Sequence, residues 1–197
     1  MPRIIAGSAG GRGIKVPPQG TRPTSGRVRE ALFSLLEAHW GGPDNWNERT
    51  VLDLYAGSGA LGLEAISRGA SRVVLVDSSR QAGRTIRANA AALGFTRQVQ
   101  VVERPVERVL MGHPSGPFGL VFLDPPYNLE LNQIDAVLVR LDHPGWLVPQ
   151  AVVVVERATR SRAPKWPAGW ETLEVRPYGE TALHLGVKAN DVNYLEQ

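Results

Sequence analysis

The chain has 197 residues, 43% hydrophobic and 21% charged, with a formal net charge of +3; this is the balance of one globular domain, with room for a real core and a small appendage. It contains no cysteine, which excludes disulfides, cysteine-ligated zinc, iron–sulfur clusters and a thiolate nucleophile. The four histidines (His39, His113, His143, His184) show no ligand spacing, and no apolar run nears the roughly 18 residues of a membrane span; with no apolar signal core at the amino terminus, a cytoplasmic protein without metal is expected.

The charge is unevenly placed. Six basic residues and no acidic one precede Glu30 (Arg3, Arg12, Lys15, Arg22, Arg27, Arg29), as expected of a phosphate-tracking surface more than of a merely solvated arm. Residues 3–16, RIIAGSAGGRGIKV, have two β-like runs around a glycine-rich turn and predict a hairpin. Pro17, Pro18 and Pro23 then hold the chain extended, so residues 1–23 read as a basic extension. Thr24 or Ser25 is placed to cap a helix running to about His39, with Val28, Leu32, Leu35 and Leu36 as one apolar stripe. Arg27 and Arg29 begin that helix, placed to reach something rather than to pack.

After the loop GGPDNWNE, strands and helices alternate: strand 50–55, helix 60–68, strand 72–76, helix 79–92, strand 98–102, a short helix near 105–111, strand 119–123, helix 131–141 and strand 151–155. Alternation at these lengths predicts an α/β fold, a mostly parallel sheet with helices on both faces. Trp170 to Arg176 and Thr181 to Lys188 surround Pro177-Tyr178-Gly179-Glu180 as a hairpin, which gives a seven-stranded sheet one antiparallel strand. The main domain is thus expected over 24–188, with a polar tail at 189–197. Arg157, Arg160, Arg162 and Lys165 read as a solvated basic loop, Trp166 and Trp170 as packing beneath it, and Asn89 has no assignable role.

Two strand tips carry the chemistry, since ligands of open parallel sheets collect at the carboxyl ends of strands. The first is TVLDLYAGSGALG. Gly57-Ser58-Gly59-Ala60-Leu61-Gly62 matches G-x-G-x-x-G between a strand and a helix, and Asp77 lies 20 residues after Gly57 at the next strand end, placed for ribose hydroxyls. That pattern fits a nicotinamide dinucleotide, but Asp53, four residues before Gly57, would repel a pyrophosphate. It would welcome an ammonium or a sulfonium, both of which S-adenosylmethionine carries. A buried acid bonding loop amides is the plainer role for Asp53, and the two are compatible.

The second tip is Asp124-Pro125-Pro126-Tyr127. Two prolines remove two backbone donors, leaving carbonyls without local partners. With the Asp124 carboxylate they form an acceptor cluster beside an aromatic face. An exocyclic base amine offers the matching pair of N–H donors on a flat ring.

DLYAGSGALGLEA with FLDPPY resembles the class I S-adenosylmethionine-dependent amino-methyltransferases, with their Rossmann-like fold. RIIAG, TRPTSGRVREALF and YGETALHLG make the chain most similar to the RsmD family over about residues 3–188. The resemblance implies methylation of guanine N2 in 16S ribosomal RNA, at guanine 966 by the family's name, in an assembling small subunit, by an enzyme expected to be monomeric. It implies that Asp53, Gly57, Ser58 and Gly59 surround the methionine part of S-adenosylmethionine, with Tyr55 beside them, and that Asp77 binds ribose, next to Ser78. Asp124, Pro125, Pro126 and Tyr127 are implied at the target amine, and Arg3, Arg12, Lys15, Arg22 and Arg27 at the RNA. Where these enzymes often carry an Asp or Asn for the adenine, this chain has Pro105, so Glu103 or the Val106 backbone is assigned there. The rival readings are an adenine-N6 methyltransferase, a nicotinamide-dependent oxidoreductase and a non-catalytic RNA-binding assembly factor.

Overall fold

The computed structural model describes residues 2–17, 25–126 and 128–189. Thr24, Pro18, Arg22, Pro23, Tyr127 and the tail from residue 190 lie outside the described residues. Ser25 caps α1 (Gly26–Trp40), its hydroxyl accepting from the Val28 amide at 3.3 Å, and Gly41 ends the helix in the left-handed region at φ 83°. Val28, Leu32, Phe33 and Leu36 are buried, so Phe33 joins the predicted stripe while Leu35 is only half-buried. Arg29, read from the sequence as reaching something rather than packing, is buried at 2% exposure. It falls on the inner face beside Val28 and Leu32, where it donates to the Arg3 carbonyl at 2.9 Å.

Seven strands form one sheet: β1 (Thr50–Leu54), β2 (Arg72–Asp77), β3 (Val99–Glu103), β4 (Phe118–Leu123), β5 (Leu147–Ala158), β6 (Trp170–Tyr178) and β7 (Thr181–Lys188). Their order across the sheet is β3-β2-β1-β4-β5-β7-β6. β1 to β5 pair in parallel, and β7 runs antiparallel to both β5 and β6, the one reversed strand that the terminal hairpin predicts. β5 starts four residues earlier than its apolar run, because Leu147 still pairs with Phe118 before a register shift. Gln150 takes a φ of 60° in this stretch, where Pro149-Gln150 hid the strand from sequence patterning.

Helices α2 (Ala60–Arg68) and α3 (Arg80–Leu93) join α1 on one face. They bury Val51, Val73, Leu75, Leu120 and Phe122 there. The opposite face carries α4 (Val106–Leu110) and α5 (Leu131–Leu141) over Leu52, Leu54, Val74, Val121 and Val153. Trp166 and Trp170 stack at 6.0 Å in that second layer, with Trp166 lying flat against Gly186, so both tryptophans pack.

The predicted amino-terminal hairpin reduces to one antiparallel bridge, Arg3 to Gly13, around a 3-10 turn at Gly7–Ala9. The Ile4 and Ile14 amides donate across it to the Arg12 and Pro2 carbonyls at 2.9 Å each, while the side chains of Ile4, Ala9 and Ile14 sink into the main core. Glu64, fully buried on α2, accepts from the Ile5 and Ala6 amides at 2.7 and 3.1 Å and so pins this arm to the domain.

Candidate active site

β1 delivers Asp53 to the carboxyl edge, where it is 1% exposed and accepts from the Gly62 amide at 2.9 Å. The chain then leaves the strand abruptly. Tyr55 adopts a φ of 62°, rare for a residue with a side chain and a form of strain often found at functional sites. Gly59 opens α2 at φ 78°. Gly62 lets that helix press on the sheet: a Cβ there would lie 2.8 Å from Val73 Cγ2 and 3.1 Å from the Asp53 carboxylate. This is the close helix–strand packing that the third glycine of such a loop provides.

Asp77, at the end of β2, accepts from the Gly57 amide and the Ser79 amide, each at 2.8 Å. It therefore ties the glycine loop to the next strand. Ser78 is exposed beside it, and Ser58 is buried within the loop. The Tyr55 hydroxyl faces Glu107 on α4 at 3.5 Å. Burial pushes its pKa up, and the neighbouring Glu107 carboxylate pushes it further.

Asp124 follows β4 directly, half-buried, with Pro125 buried and Pro126 exposed. Register places Asp53 opposite Phe122 on β4 and opposite Leu75 on β2, so Asp124 and Asp77 each stand two residues beyond it on flanking strands. Asp53 is pushed up from 3.8 to about 8, first by burial, with the charges of Asp124 and Asp77 adding and the Gly62 hydrogen bond opposing. Asp124 and Asp77 thus flank Asp53 on neighbouring strand tips, and their negative field suits a cationic ligand group.

Beyond the prolines, the Leu129 amide donates to the Pro126 carbonyl at 2.9 Å, so one of the carbonyls expected to lack a local partner has one. Arg157, from the tip of β5, donates to the Leu129 carbonyl at 3.0 Å and holds this turn. That residue, read from sequence as part of a solvated loop, is buried at 6%. Arg162 of the same loop pairs with Asp135 at 2.5 Å.

The two residues assigned to adenine recognition sit at the tip of β3. Glu103 pairs with Arg87 and lies over Gly83, and Val106 is buried at the start of α4. Pro105 is the N-cap of α4. Its carbonyl accepts from the Arg108 and Val109 amides at 3.0 and 3.1 Å.

The basic arm divides. Arg3 donates to the Gly11 carbonyl at 2.8 Å, and Arg12 donates to the Ala92 and Leu93 carbonyls at the end of α3. Lys15 and Arg27 are exposed. Sequence reasoning passed over Asn89, which is 2% exposed. Its side-chain amide accepts from the Lys15 backbone amide at 2.8 Å and donates to the carbonyls of Lys15 and Ser58 at 2.9 and 3.0 Å. A polar residue among Ile86, Ala90 and Leu93 on the apolar face of α3 was the available signal. Among the described residues, no group of three or more His, Asp or Glu stands where it could hold a metal ion, and no helix is long and apolar enough to cross a membrane.

Comparison with known proteins follows the same lines. The family model described as conserved hypothetical protein 95 matches residues 2–187. Ribosomal RNA small subunit methyltransferase D of Escherichia coli K12 is 35% identical over 184 residues, covering 93% of this chain and 88% of that protein. The protein of the same name from Haemophilus influenzae is 31% identical over 186 residues, covering 93% and 92%. The solved structure of yhhF from Escherichia coli, provisionally described as a methyltransferase, superimposes with a TM-score of 0.83 at 32% identity, covering 95% of this chain and 97% of that one.

Proposed function

The chain belongs to the RsmD family, whose model carries the description conserved hypothetical protein 95, and from that membership we propose that its strand-tip site methylates the N2 amine of a guanine in small-subunit ribosomal RNA, using S-adenosylmethionine. The observation that carries the reading is the junction of two features on adjacent strands. The Asp124-Pro125-Pro126 turn ends β4, and the Asp53 carboxylate with its glycine loop ends β1. The names of the relatives support small-subunit ribosomal RNA as the substrate class. Guanine N2, and guanine 966 in particular, rest on the family resemblance.

S-adenosylmethionine, when bound, supplies a methyl group on a positively charged sulfur, which keeps the electron pair as the methyl leaves. Asp53 offers that charge a partner, while Asp77 and the Gly57–Gly59 backbone border the place for ribose and methionine. Asp124 accepts an N–H of the target amine, turning the nitrogen lone pair out of conjugation and toward the methyl carbon. As the N–C bond forms, positive charge grows on nitrogen, and the Asp124 carboxylate stabilises it electrostatically. The excess proton then leaves nitrogen for Asp124 or water. No strong base is required, because the methylated ammonium is acidic. Tyr127 lies outside the described residues, and the family resemblance assigns its ring to stacking on a base that has left its helix. The enzyme acts as a monomer on an assembling subunit.

The test is methyl transfer from labelled S-adenosylmethionine to small subunits lacking their N2-methylguanines, followed by nucleoside analysis. Labelled N2-methylguanosine is expected. Asp124→Ala should lower turnover by about 10²–10³-fold or more, with cofactor affinity nearly unchanged. Label on adenine would overturn the guanine assignment, and a matching loss of cofactor affinity would move Asp124 from the target amine to the cofactor.

A further inference from the structure

We propose that the outer face of α3 is a second RNA contact surface, an arginine stripe that meets the phosphate backbone of the substrate RNA on the cofactor side of the active site. The proposal builds on the ribosomal RNA reading and extends it to a face that neither the family motifs nor the basic arm includes.

Helix α3 carries Arg80, Arg84 and Arg87 at i, i+4 and i+7, all exposed, and its 14 residues include no acid. Their placement works against the helix. The first turn, where the macrodipole favours anions, has Arg80 at its first position and no acidic residue. Like charges at four-residue spacing add repulsion along the face. At the carboxyl end, where cations would stabilise, α3 has none of its own. The arm supplies it instead: Arg12 donates to the Ala92 and Leu93 carbonyls. The helix thus keeps Arg80 and Arg84 where dipole and mutual repulsion disfavour them, and takes a cation from the arm where one helps. A solvated face needs no such arrangement, whereas an anionic partner accounts for it.

Position names the partner. Arg80 stands three residues beyond Asp77, at the carboxyl edge where the active site opens, and the stripe runs away from it along the helix. From Arg80 to Arg87 is about 10 Å at 1.5 Å per residue, room for more than one phosphate. Arg87 shares its charge with Glu103, but neither Arg80 nor Arg84 pairs with a carboxylate among the described residues. The arm is fixed to the same helix through Asn89, which brings exposed Lys15 onto the α3 side of the molecule. An RNA strand entering the site therefore meets a basic surface built from both elements.

The experiment measures binding of an in vitro transcript of small-subunit ribosomal RNA across a salt series. The wild type is compared with the double variant Arg80→Gln/Arg84→Gln and with a charge-matched control on α5 and β6, Arg140→Gln/Arg176→Gln. If the stripe meets phosphates, the slope of log affinity against log salt flattens by about 1.4–1.8 for two lost contacts, the control keeps the wild-type slope, and cofactor affinity is unchanged. A wild-type slope in the stripe variant overturns the proposal, and so does an equal flattening in the control, which would reduce the effect to net charge. A loss seen only with protein-loaded subunits, with naked transcript unaffected, overturns the RNA assignment in favour of a ribosomal-protein contact. Methylation by the wild type is scored separately, so a chain that binds the transcript through the stripe yet modifies no guanine would defeat the catalytic reading alone.

Discussion

Asp53 has almost no water around it and a single backbone donor within reach, while two more carboxylates face it from the neighbouring strand tips. Its proton is therefore held up to about 8 in the folded, ligand-free chain, against 3.8 when exposed. Between those values the folded state keeps a proton that the unfolded state has released, so stability falls as pH rises through the window. An asparagine in its place would still accept from the Gly62 amide but would not titrate. In urea unfolding without ligand, Asp53→Asn should lack the wild type's loss between about pH 4 and pH 8 and be more stable at the upper end, by up to a few kcal/mol. It should also bind S-adenosylmethionine more weakly. Equal pH slopes for the two proteins would mean that Asp53 stays ionised in the fold. The same residue thus lowers the stability of the empty site and supplies the charge that a cationic ligand needs.

At the scale of elements, Asn89 joins three of them: it sits on α3, holds the main chain of the arm at Lys15 and reaches the glycine loop at Ser58. Its side-chain oxygen and both amide hydrogens are engaged, so Asn89→Ala leaves buried partners unsatisfied and should cost about 1–3 kcal/mol in denaturant unfolding. It should also raise the dissociation constant for S-adenosylmethionine, because the loop loses a support; unchanged cofactor binding would confine Asn89 to the arm. Asn89 also marks where the sequence stopped being legible. Alternating strands and helices, the glycine loop, Asp53 and the strand-ending Asp124 are local patterns written in consecutive residues, and they appear in the fold where they were expected. Contacts across long separations leave no such trace: Asn89 with Lys15, Glu64 with Ile5, Arg157 with Leu129. Arg12 and Arg29 looked alike as charges, yet one caps α3 and the other is buried against Arg3, because an arginine's role depends on what the chain later brings to it. The start of β5 was hidden for a different reason. Proline and a left-handed glutamine interrupt its pattern, and only pairing with β4 restores the strand.

For the whole molecule, the reversed strand has a consequence for assembly. β7 is last in sequence among the seven yet interior in the sheet, bonded to β5 on one side and β6 on the other. Until it arrives, β5 presents a long free edge rich in valine, the kind of edge that recruits strands from other chains. A chain cut before Trp170 should accordingly aggregate when expressed, as read by the soluble fraction, although every residue named at the cofactor site is upstream of the cut; a soluble, folded fragment would show that the parallel half stands alone. During synthesis the nascent protein carries its strand-tip acids before the β5 edge has its partner in the terminal hairpin. Capacity for chemistry is encoded early in the chain, and the strand that covers the β5 edge comes last.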